Sequence, residues 1–121
     1  MRQLPVHELS ICQALMTQVE TVAAEHQASK VTRIMVQVGV LSGVAPDLLV
    51  QAFSIARAGT VAENAELITE SLPIKVRCRQ CSAETEVSAN RLLCAECGDW
   101  QTQLISGDEL LLASVELEGV P

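Results

Sequence analysis

The sequence is short of aromatic side chains, basic side chains and long apolar runs, and each shortage excludes a class of protein. Trp100 and Phe53 are its only aromatic residues, so it lacks the stacking surfaces that bind single-stranded nucleic acids. Eight basic against fifteen acidic residues give a formal net charge of −7, which opposes binding to a phosphate backbone. No apolar run approaches the roughly 18 residues of a transmembrane helix, and the first residues contain no stretch typical of a secretory signal. These shortages predict a cytoplasmic protein that binds neither nucleic acid nor a membrane.

Catalytic patterns are missing as well. The sequence contains no Ser/His/Asp arrangement and no glycine loop of the kind that cradles phosphates. Its two Cys-x-x-Cys pairs do not stand at a helix start beside a strand of a βαβ unit, which is the setting of thiol oxidoreductases. The sequence therefore predicts a protein that is not an enzyme.

Hydrophobic periodicity predicts two helices and three strands. Steps of three and four residues predict the helices, and strict alternation predicts the strands. In chain order the predicted segments are a helix over 8–26, a strand over 31–40, a helix over about 47–58, a strand over 66–77 and a strand over 109–118. Pro73 lacks an N–H, so the second strand is expected to lie at a sheet edge or to bend there.

This order of elements predicts an α+β fold in which two helices pack on a small three-stranded sheet. Residues 78–106 differ from the rest because they are polar, cysteine-rich and low in periodicity. We interpret them as an inserted zinc-ribbon-like module with four cysteine ligands, and residues 1–77 plus 107–121 as the α+β domain.

Four of the five cysteines form two pairs with metal-ligand spacing. The pairs are Cys78-Arg-Gln-Cys81 and Cys94-Ala-Glu-Cys97, with 12 residues between them. Two residues between cysteines let a tight turn aim both thiolates at one point, and two facing turns make the closed tetrahedral site that structural zinc prefers. Iron also takes four thiolates in rubredoxin-type sites, and a disulfide or dithiol switch is the remaining alternative. The spacing predicts a structural zinc site.

Three other residues have ordinary structural interpretations. Cys12 falls on the apolar stripe of the first helix, which predicts a buried, unreactive thiol. His26 stands near the end of the same helix among polar neighbours, which predicts a solvated or helix-capping side chain. We expect Trp100 to pack against a cysteine turn, with a role in binding a partner as the alternative.

His7 and Glu8 begin the first helical pattern, and by themselves they are weak evidence for a site. The segments HELSIC, VGVLSGVAPDLL and AFSIARAGT, followed by the two Cys-x-x-Cys pairs, occur in this order along the chain. Together they resemble the HypA/HybF family of hydrogenase nickel-incorporation proteins. The resemblance extends from His7 to about Glu118.

The resemblance implies a metallochaperone that binds Ni(II) near the N-terminus and delivers it for [NiFe]-hydrogenase maturation. It implies that His7 is the nickel-binding histidine, that Glu8 is the adjacent carboxylate, and that the α+β domain is the nickel-binding one. Imidazole and oxygen donors suit tetragonal Ni(II). The implied partners are a HypB-type GTPase and the hydrogenase large subunit, with urease maturation factors as a further group. The zinc site would be structural and regulatory. The alternative function is a zinc-ribbon protein-interaction adaptor that transfers no nickel.

The sequence departs from the family pattern at its start and in one loop. Family members usually begin Met-His-Glu, whereas MRQLP precedes Val6 here. Either translation starts at Val6 from a GTG codon, which would place the α-amine beside His7, or the extension is native and other groups complete the nickel ligands. The intact mass of the native protein separates these alternatives. Ala45 stands where relatives often have a carboxylate, and Asp47 is the nearest substitute.

Overall fold

The computed structural model describes the backbone of residues 6–121 and the side chains from Glu8 onward. Within that range lie two helices and six strands: α1 (Val6–Glu25), β1 (Lys30–Gly39), α2 (Pro46–Ala56), β2 (Glu66–Leu72), β3 (Ile74–Cys78), β4 (Glu84–Val87), β5 (Thr102–Ser106) and β6 (Leu110–Glu118). One three-stranded sheet has the order β2–β1–β6 and the other β4–β3–β5. The α+β class, with two helices, a small three-stranded sheet and a cysteine-rich part, is confirmed. No helix in the described range is long and apolar enough to cross a bilayer.

The chain divides into two compact units, and the described residues of the first are 6–36, Val44–Thr69 and Leu112–Pro121. Its core is almost wholly aliphatic, as expected for a sequence with so few aromatic residues. The buried side chains recur at helical spacing in α1 and α2 and by alternation in β1: Cys12, Met16, Val19, Ala23, Val31, Ile34, Val36, Leu49, Ala52 and Phe53. Burying each large apolar side chain contributes about 1.5–3 kcal/mol, so this unit has a hydrophobic core of its own.

Two of the predicted strand patterns differ from the structure. The segment predicted as one strand over 66–77 is two strands, because β2 ends before Pro73 and β3 begins after it, in the other sheet. The expected bend at Pro73 is therefore confirmed and the single strand is wrong. The strand predicted over 31–40 ends at Gly39, and Val40, the last residue of the predicted strand, is 52% exposed.

The second unit comprises Gln37–Gly43 and Glu70–Leu111, so it extends beyond the 78–106 segment that the composition singles out. Its strand β3 pairs antiparallel with both β4 and β5, although periodicity predicted no strands within 78–106. Its buried hydrophobic side chains are Val38, Ile74 and Val76, together with the cysteines Cys78 and Cys94. This hydrophobic core is small.

A close backbone contact within the second unit requires glycine at two positions. The Gly39 N–H donates to the Glu109 carbonyl at 2.7 Å, and the Leu41 N–H donates to the Gly107 carbonyl at 2.6 Å. A Cβ at Gly39 would collide with the Gly107 carbonyl oxygen and lie 2.9 Å from the Glu109 nitrogen. Gly107 has φ +115°, and a Cβ there would lie 2.8 Å from the Ile74 Cα. The nearest atoms are mainly backbone atoms, which cannot shift without disrupting the whole contact. Neither position therefore accommodates a side chain.

We expect Gly39→Ala to lower the free energy of unfolding by about 3 kcal/mol, because it forces atoms into a packed backbone contact. Gly59→Ala is the matched control: it also adds a Cβ, but into open space at φ +73°, where left-handed strain costs about 1 kcal/mol. Urea unfolding followed by circular dichroism measures both. Equal destabilisation by the two substitutions would contradict the role of the contact.

Candidate metal centre

Four sulfur atoms meet in the second unit. The Sγ atoms of Cys78, Cys81, Cys94 and Cys97 all lie within 4.8 Å of one another, and no disulfide joins them. Sulfurs at the corners of a tetrahedron around zinc, at a Zn–S distance of about 2.3 Å, are about 3.8 Å apart. The cluster therefore has the dimensions of a closed tetrahedral thiolate site, as the spacing of the two pairs predicts.

The two Cys-x-x-Cys segments adopt the same local conformation. The Ser82 N–H donates to the Cys78 carbonyl at 3.0 Å, and the Gly98 N–H donates to the Cys94 carbonyl at 2.8 Å. Ser82 and Gly98, which directly follow the second cysteine of each segment, have φ +63° and +77°. Each segment is thus a tight turn, hereafter a knuckle (Cys78–Ser82 and Cys94–Gly98), that points two thiols the same way. Glycine suits this conformation, and Ser82 adopts it at the cost of left-handed strain.

Backbone N–H groups donate hydrogen bonds to the sulfurs and favour their thiolate form. Cys78 Sγ accepts from the Gln80 and Cys81 N–H groups at 3.3 and 3.4 Å. Cys94 Sγ accepts from the Cys97 N–H at 3.5 Å. Bonds of this kind stabilise thiolate charge and tune metal–thiolate sites.

The four sulfurs affect one another's pKa. The Cys97 N–H, the largest cause, lowers the pKa of Cys94 to about 7. The backbone N–H of Asp99 acts to lower the pKa of Cys97, but contact with Cys78, desolvation and the other two sulfurs outweigh it and raise that pKa to about 12. Sulfurs this close do not all ionise unless a positive charge offsets their repulsion. A divalent metal ion supplies that charge.

Hydroxyl and amide side chains hold the two knuckles to the small sheet. The Thr85 hydroxyl in β4 accepts from the Ala95 N–H at 3.2 Å, and the Thr102 hydroxyl in β5 donates to the Leu92 carbonyl at 2.8 Å. The Gln80 and Gln101 amides are hydrogen-bonded at 2.6 Å. Sequence reasoning missed these residues, since no local pattern marks a threonine that bonds a loop ten residues away.

The residues present fit zinc. Four thiolates in a closed tetrahedral set are the donors of a structural zinc site, and Cys78, Cys81, Cys94 and Cys97 would hold the ion. Zinc binding to such modules supplies about 10–16 kcal/mol of apparent free energy at neutral pH. The few buried hydrophobic side chains of this unit supply about 1.5–3 kcal/mol each, so metal binding would be a major source of its stability.

Trp100 does not pack as predicted. Its side chain is 74% exposed, so the expectation that it packs tightly against a cysteine turn is wrong. Two hydrogen bonds lie beside this residue in the chain: the Asp99 carboxylate accepts from the Gln101 N–H at 2.7 Å, and the Thr102 N–H donates to the Trp100 carbonyl at 2.9 Å. These bonds form a tight bend in the segment that carries the indole.

Cys12 and His26 have the environments that the sequence predicts. Cys12 is 1% exposed, and its Sγ donates to the Leu49 carbonyl at 3.4 Å. Burial, and then the Glu8 carboxylate, raises the pKa of Cys12 to about 11, so it is an unreactive thiol at neutral pH. His26 is exposed, and its Nδ1 lies 2.9 Å from the Val22 carbonyl oxygen at the end of α1.

His7 and Glu8 lie in the first turn of α1. The side chain of His7 lies outside the described residues. The Glu8 side chain is described and is the buried acidic group of α1, with the residue 7% exposed. A carboxylate near a helix N-terminus is favoured by the helix dipole, and burial of its charge is costly unless a positive charge offsets it. A cation beside Glu8 would therefore be stabilised.

Comparison with known proteins gives closely related sequences and structures. The family profile described as "Hydrogenase/urease nickel incorporation, metallochaperone, hypA" matches residues 6–117. The hydrogenase maturation factor HypA of Aquifex aeolicus is 48% identical over 113 residues, which is 93% of this chain and 98% of that protein. The corresponding protein of Nitrosospira multiformis is 49% identical over 112 residues, 93% of this chain and 97% of that one.

Solved structures agree in fold. The solution structure of the Ni metallochaperone HypA from Helicobacter pylori matches with a TM-score of 0.70 at 26% identity, covering 93% of this chain and 97% of that one. A second solution structure of a HypA protein matches with a TM-score of 0.73 at 27% identity, covering 94% and 98%.

We expect Cys94→Ser to expel zinc, because a closed four-thiolate site loses a ligand that serine does not replace. The α1 and α2 signals in circular dichroism should persist, since the core of the first unit contains none of the four clustered cysteines. Elemental analysis of purified protein measures the zinc content. Cys12→Ala is the matched control: it removes a cysteine outside the cluster and should retain one zinc ion per chain. Full zinc content in Cys94→Ser would contradict the site.

We expect Cys12 to make stability depend on alkaline pH. Its pKa is raised in the folded state from 9.0 to about 11, so the folded protein favours the protonated thiol. This contribution is complete below pH 9 and is lost as the pH rises to about 11. A shift of this size corresponds to about 2–3 kcal/mol. Unfolding of wild type and Cys12→Ala at pH 8 and pH 11 should show that loss in wild type only, and parallel pH profiles would contradict it.

Proposed function

Because the chain belongs to the HypA family of hydrogenase and urease nickel-incorporation proteins, we propose that it binds Ni(II) near its N-terminus and delivers it for [NiFe]-hydrogenase maturation. The observation that carries the proposal is the family match over residues 6–117, which includes the His7-Glu8 pair at its start. A metallochaperone of this kind is a maturation factor and not an enzyme. Its nickel is cargo, to be bound and then released.

The chemistry of the first turn of α1 supports this proposal. Ni(II) accepts tetragonal nitrogen and oxygen ligands, and His7 provides an imidazole beside a backbone amide and the Glu8 carboxylate. Glu8 is buried, and it forms no ion pair with the described cationic side chains. A bound divalent ion would offset the cost of burying its charge. We assign His7 as the nickel ligand and Glu8 as the acidic group that favours a cation beside it.

The sulfur cluster supports separate sites and separate roles for two metals. Its four thiolates fill a tetrahedral shell, so zinc there is structural and has no open position for exchange chemistry. We therefore assign structural zinc to Cys78, Cys81, Cys94 and Cys97, and transferable nickel to the start of α1. In domain terms, the part formed by 1–77 plus 107–121 binds nickel and the 78–106 segment binds zinc.

The partners follow from the same proposal. A protein that delivers nickel to hydrogenase must bind the large subunit that receives the metal. We propose a HypB-type GTPase as its partner protein in the cytoplasm. Urease maturation factors are a further partner class, since the matched family covers hydrogenase and urease nickel incorporation.

Nickel titration of zinc-loaded protein tests the proposal. We expect wild type to bind Ni(II) stoichiometrically and His7→Ala to lose that binding, with unchanged zinc content, because the imidazole is the only side-chain nitrogen assigned to the ion. Isothermal titration calorimetry together with elemental analysis measures both metals.

His26→Ala is the matched control, because His26 is the other of the two histidines and lies exposed at the far end of the same helix. It should bind nickel as wild type does. Equal nickel uptake by wild type and His7→Ala would reject the site and favour a zinc-ribbon adaptor that carries no nickel. Loss of binding in His26→Ala alone would place the site elsewhere.

A further inference from the structure

We propose that Cys81 and Cys97 are the sites at which a peroxide oxidises the zinc-loaded cluster, and that the resulting disulfides join the two knuckles as Cys78–Cys97 and Cys81–Cys94. The proposal rests on the zinc site assigned above. It adds a covalent modification to residues whose assigned role is only to hold a metal.

The four thiols are not equivalent, because each knuckle has an inner and an outer cysteine. Cys78 and Cys94, the first cysteine of each pair, are 1% and 3% exposed. Cys81 and Cys97, the second of each pair, are exposed. An oxidant dissolved in water therefore reaches the outer sulfurs first, because thiolate oxidation depends on access as well as on charge.

Hydrogen bonding reinforces the difference in exposure. Cys78 accepts backbone N–H groups from Gln80 and Cys81 at 3.3 and 3.4 Å, and Cys94 accepts the Cys97 N–H at 3.5 Å. Among the described residues, no backbone N–H donates a hydrogen bond within these distances to the Sγ of Cys81 or Cys97. Each N–H draws electron density from the sulfur that it contacts. The outer thiolates thus retain more of their electron density for attack on an electrophile.

The geometry selects the partner of each outer sulfur. Cys97 Sγ is in contact with Cys78 Sγ at 3.5 Å, and Cys81 Sγ is in contact with Cys94 Sγ at 3.5 Å. Both contacts join different knuckles, and each joins an outer to an inner sulfur. Closing 3.5 Å to the roughly 2.05 Å of a disulfide requires a shift that side-chain rotation and small backbone adjustments supply.

The chemistry balances with hydrogen peroxide as the oxidant. The Cys97 thiolate attacks one peroxide oxygen, the O–O bond breaks, and hydroxide leaves and is protonated to water, which gives a sulfenic acid. The Cys78 thiolate then attacks that sulfur, an S–S bond forms, and a second hydroxide leaves and is protonated. Two thiolates lose two electrons, and one peroxide with two protons becomes two waters. A second peroxide oxidises Cys81 and Cys94 by the same steps.

The consequence is loss of the metal site. One disulfide removes two of the four ligands, and the two remaining thiolates do not hold zinc. Because its buried hydrophobic side chains are few, the second unit should loosen once the metal is gone. A thiol reductant reverses the disulfide, so the modification can be undone.

Disulfide mapping of the zinc-loaded full chain tests the proposal. Zinc content is measured first, two equivalents of hydrogen peroxide are added, one for each disulfide, and remaining thiols are blocked with N-ethylmaleimide. Trypsin cleaves after Arg79, between Cys78 and Cys81, and a glutamate-specific protease cleaves after Glu96, between Cys94 and Cys97. The four clustered cysteines then lie on four different peptides, and mass spectrometry distinguishes every pairing.

We expect peptides that contain Cys78–Cys97 and Cys81–Cys94 to predominate, with one zinc ion released per chain in which a disulfide forms. Brief labelling with N-ethylmaleimide before oxidation should modify Cys81 and Cys97 several-fold more than Cys78 and Cys94. Cys12 should stay reduced, and the Cys12→Ala variant should give the same disulfides and the same zinc release.

Predominance of Cys78–Cys81 and Cys94–Cys97 would overturn the proposal, as would equal labelling of the inner and outer thiols. Disulfides between chains or at Cys12 would overturn it as well. These results leave the assigned function intact as long as the starting protein contains zinc. Protein that purifies without zinc and takes up none would instead contradict the zinc site on which the proposal rests.

Discussion

Repulsion among four neighbouring sulfur atoms is the constraint on which the second unit depends. Four thiolates within 4.8 Å of one another are stable as anions only around a cation, and the backbone N–H groups that point at them offset part of that charge. The unit buries few hydrophobic side chains otherwise. Strands β3, β4 and β5 carry or flank a centre that a metal ion would complete, and the Thr85 and Thr102 hydroxyls hold the cysteine loop against the sheet.

The first unit has the opposite character. An aliphatic core formed by α1, α2 and β1 stabilises it without a metal. The start of α1 is therefore available for a reversibly bound ligand. A soft, closed sulfur site and a site of nitrogen and oxygen donors select different metals, because zinc in a tetrahedral thiolate cage exchanges little, whereas Ni(II) accepts the harder donors of a tetragonal site. Under the proposed function, this separation would let one metal maintain the fold while the other is carried.

Local patterns in the sequence predicted the features that local chemistry determines. The helix boundaries to within two residues, the alternation in β1 and the meeting of the four cysteines follow from spacing alone. The wrong predictions concern features that depend on pairing between distant parts of the chain. The apolar alternation continues through Pro73, so periodicity did not reveal that Leu72 and Ile74 belong to different sheets. Strands β4 and β5 are short and half exposed, and the exposed Trp100 lies in a bend whose hydrogen bonds, to the Asp99 carboxylate and from the Thr102 N–H, have no sequence signature.

On the proposal above, nickel and zinc occupy chemically different sites in one chain. X-ray absorption at the nickel and zinc edges of protein loaded with both metals separates the two sites, because each edge reports the ligands of one element only. We expect nitrogen and oxygen neighbours and no sulfur at nickel, with four sulfur neighbours at zinc. Sulfur in the nickel shell, or fewer than four sulfurs around zinc, would refute the two-site arrangement.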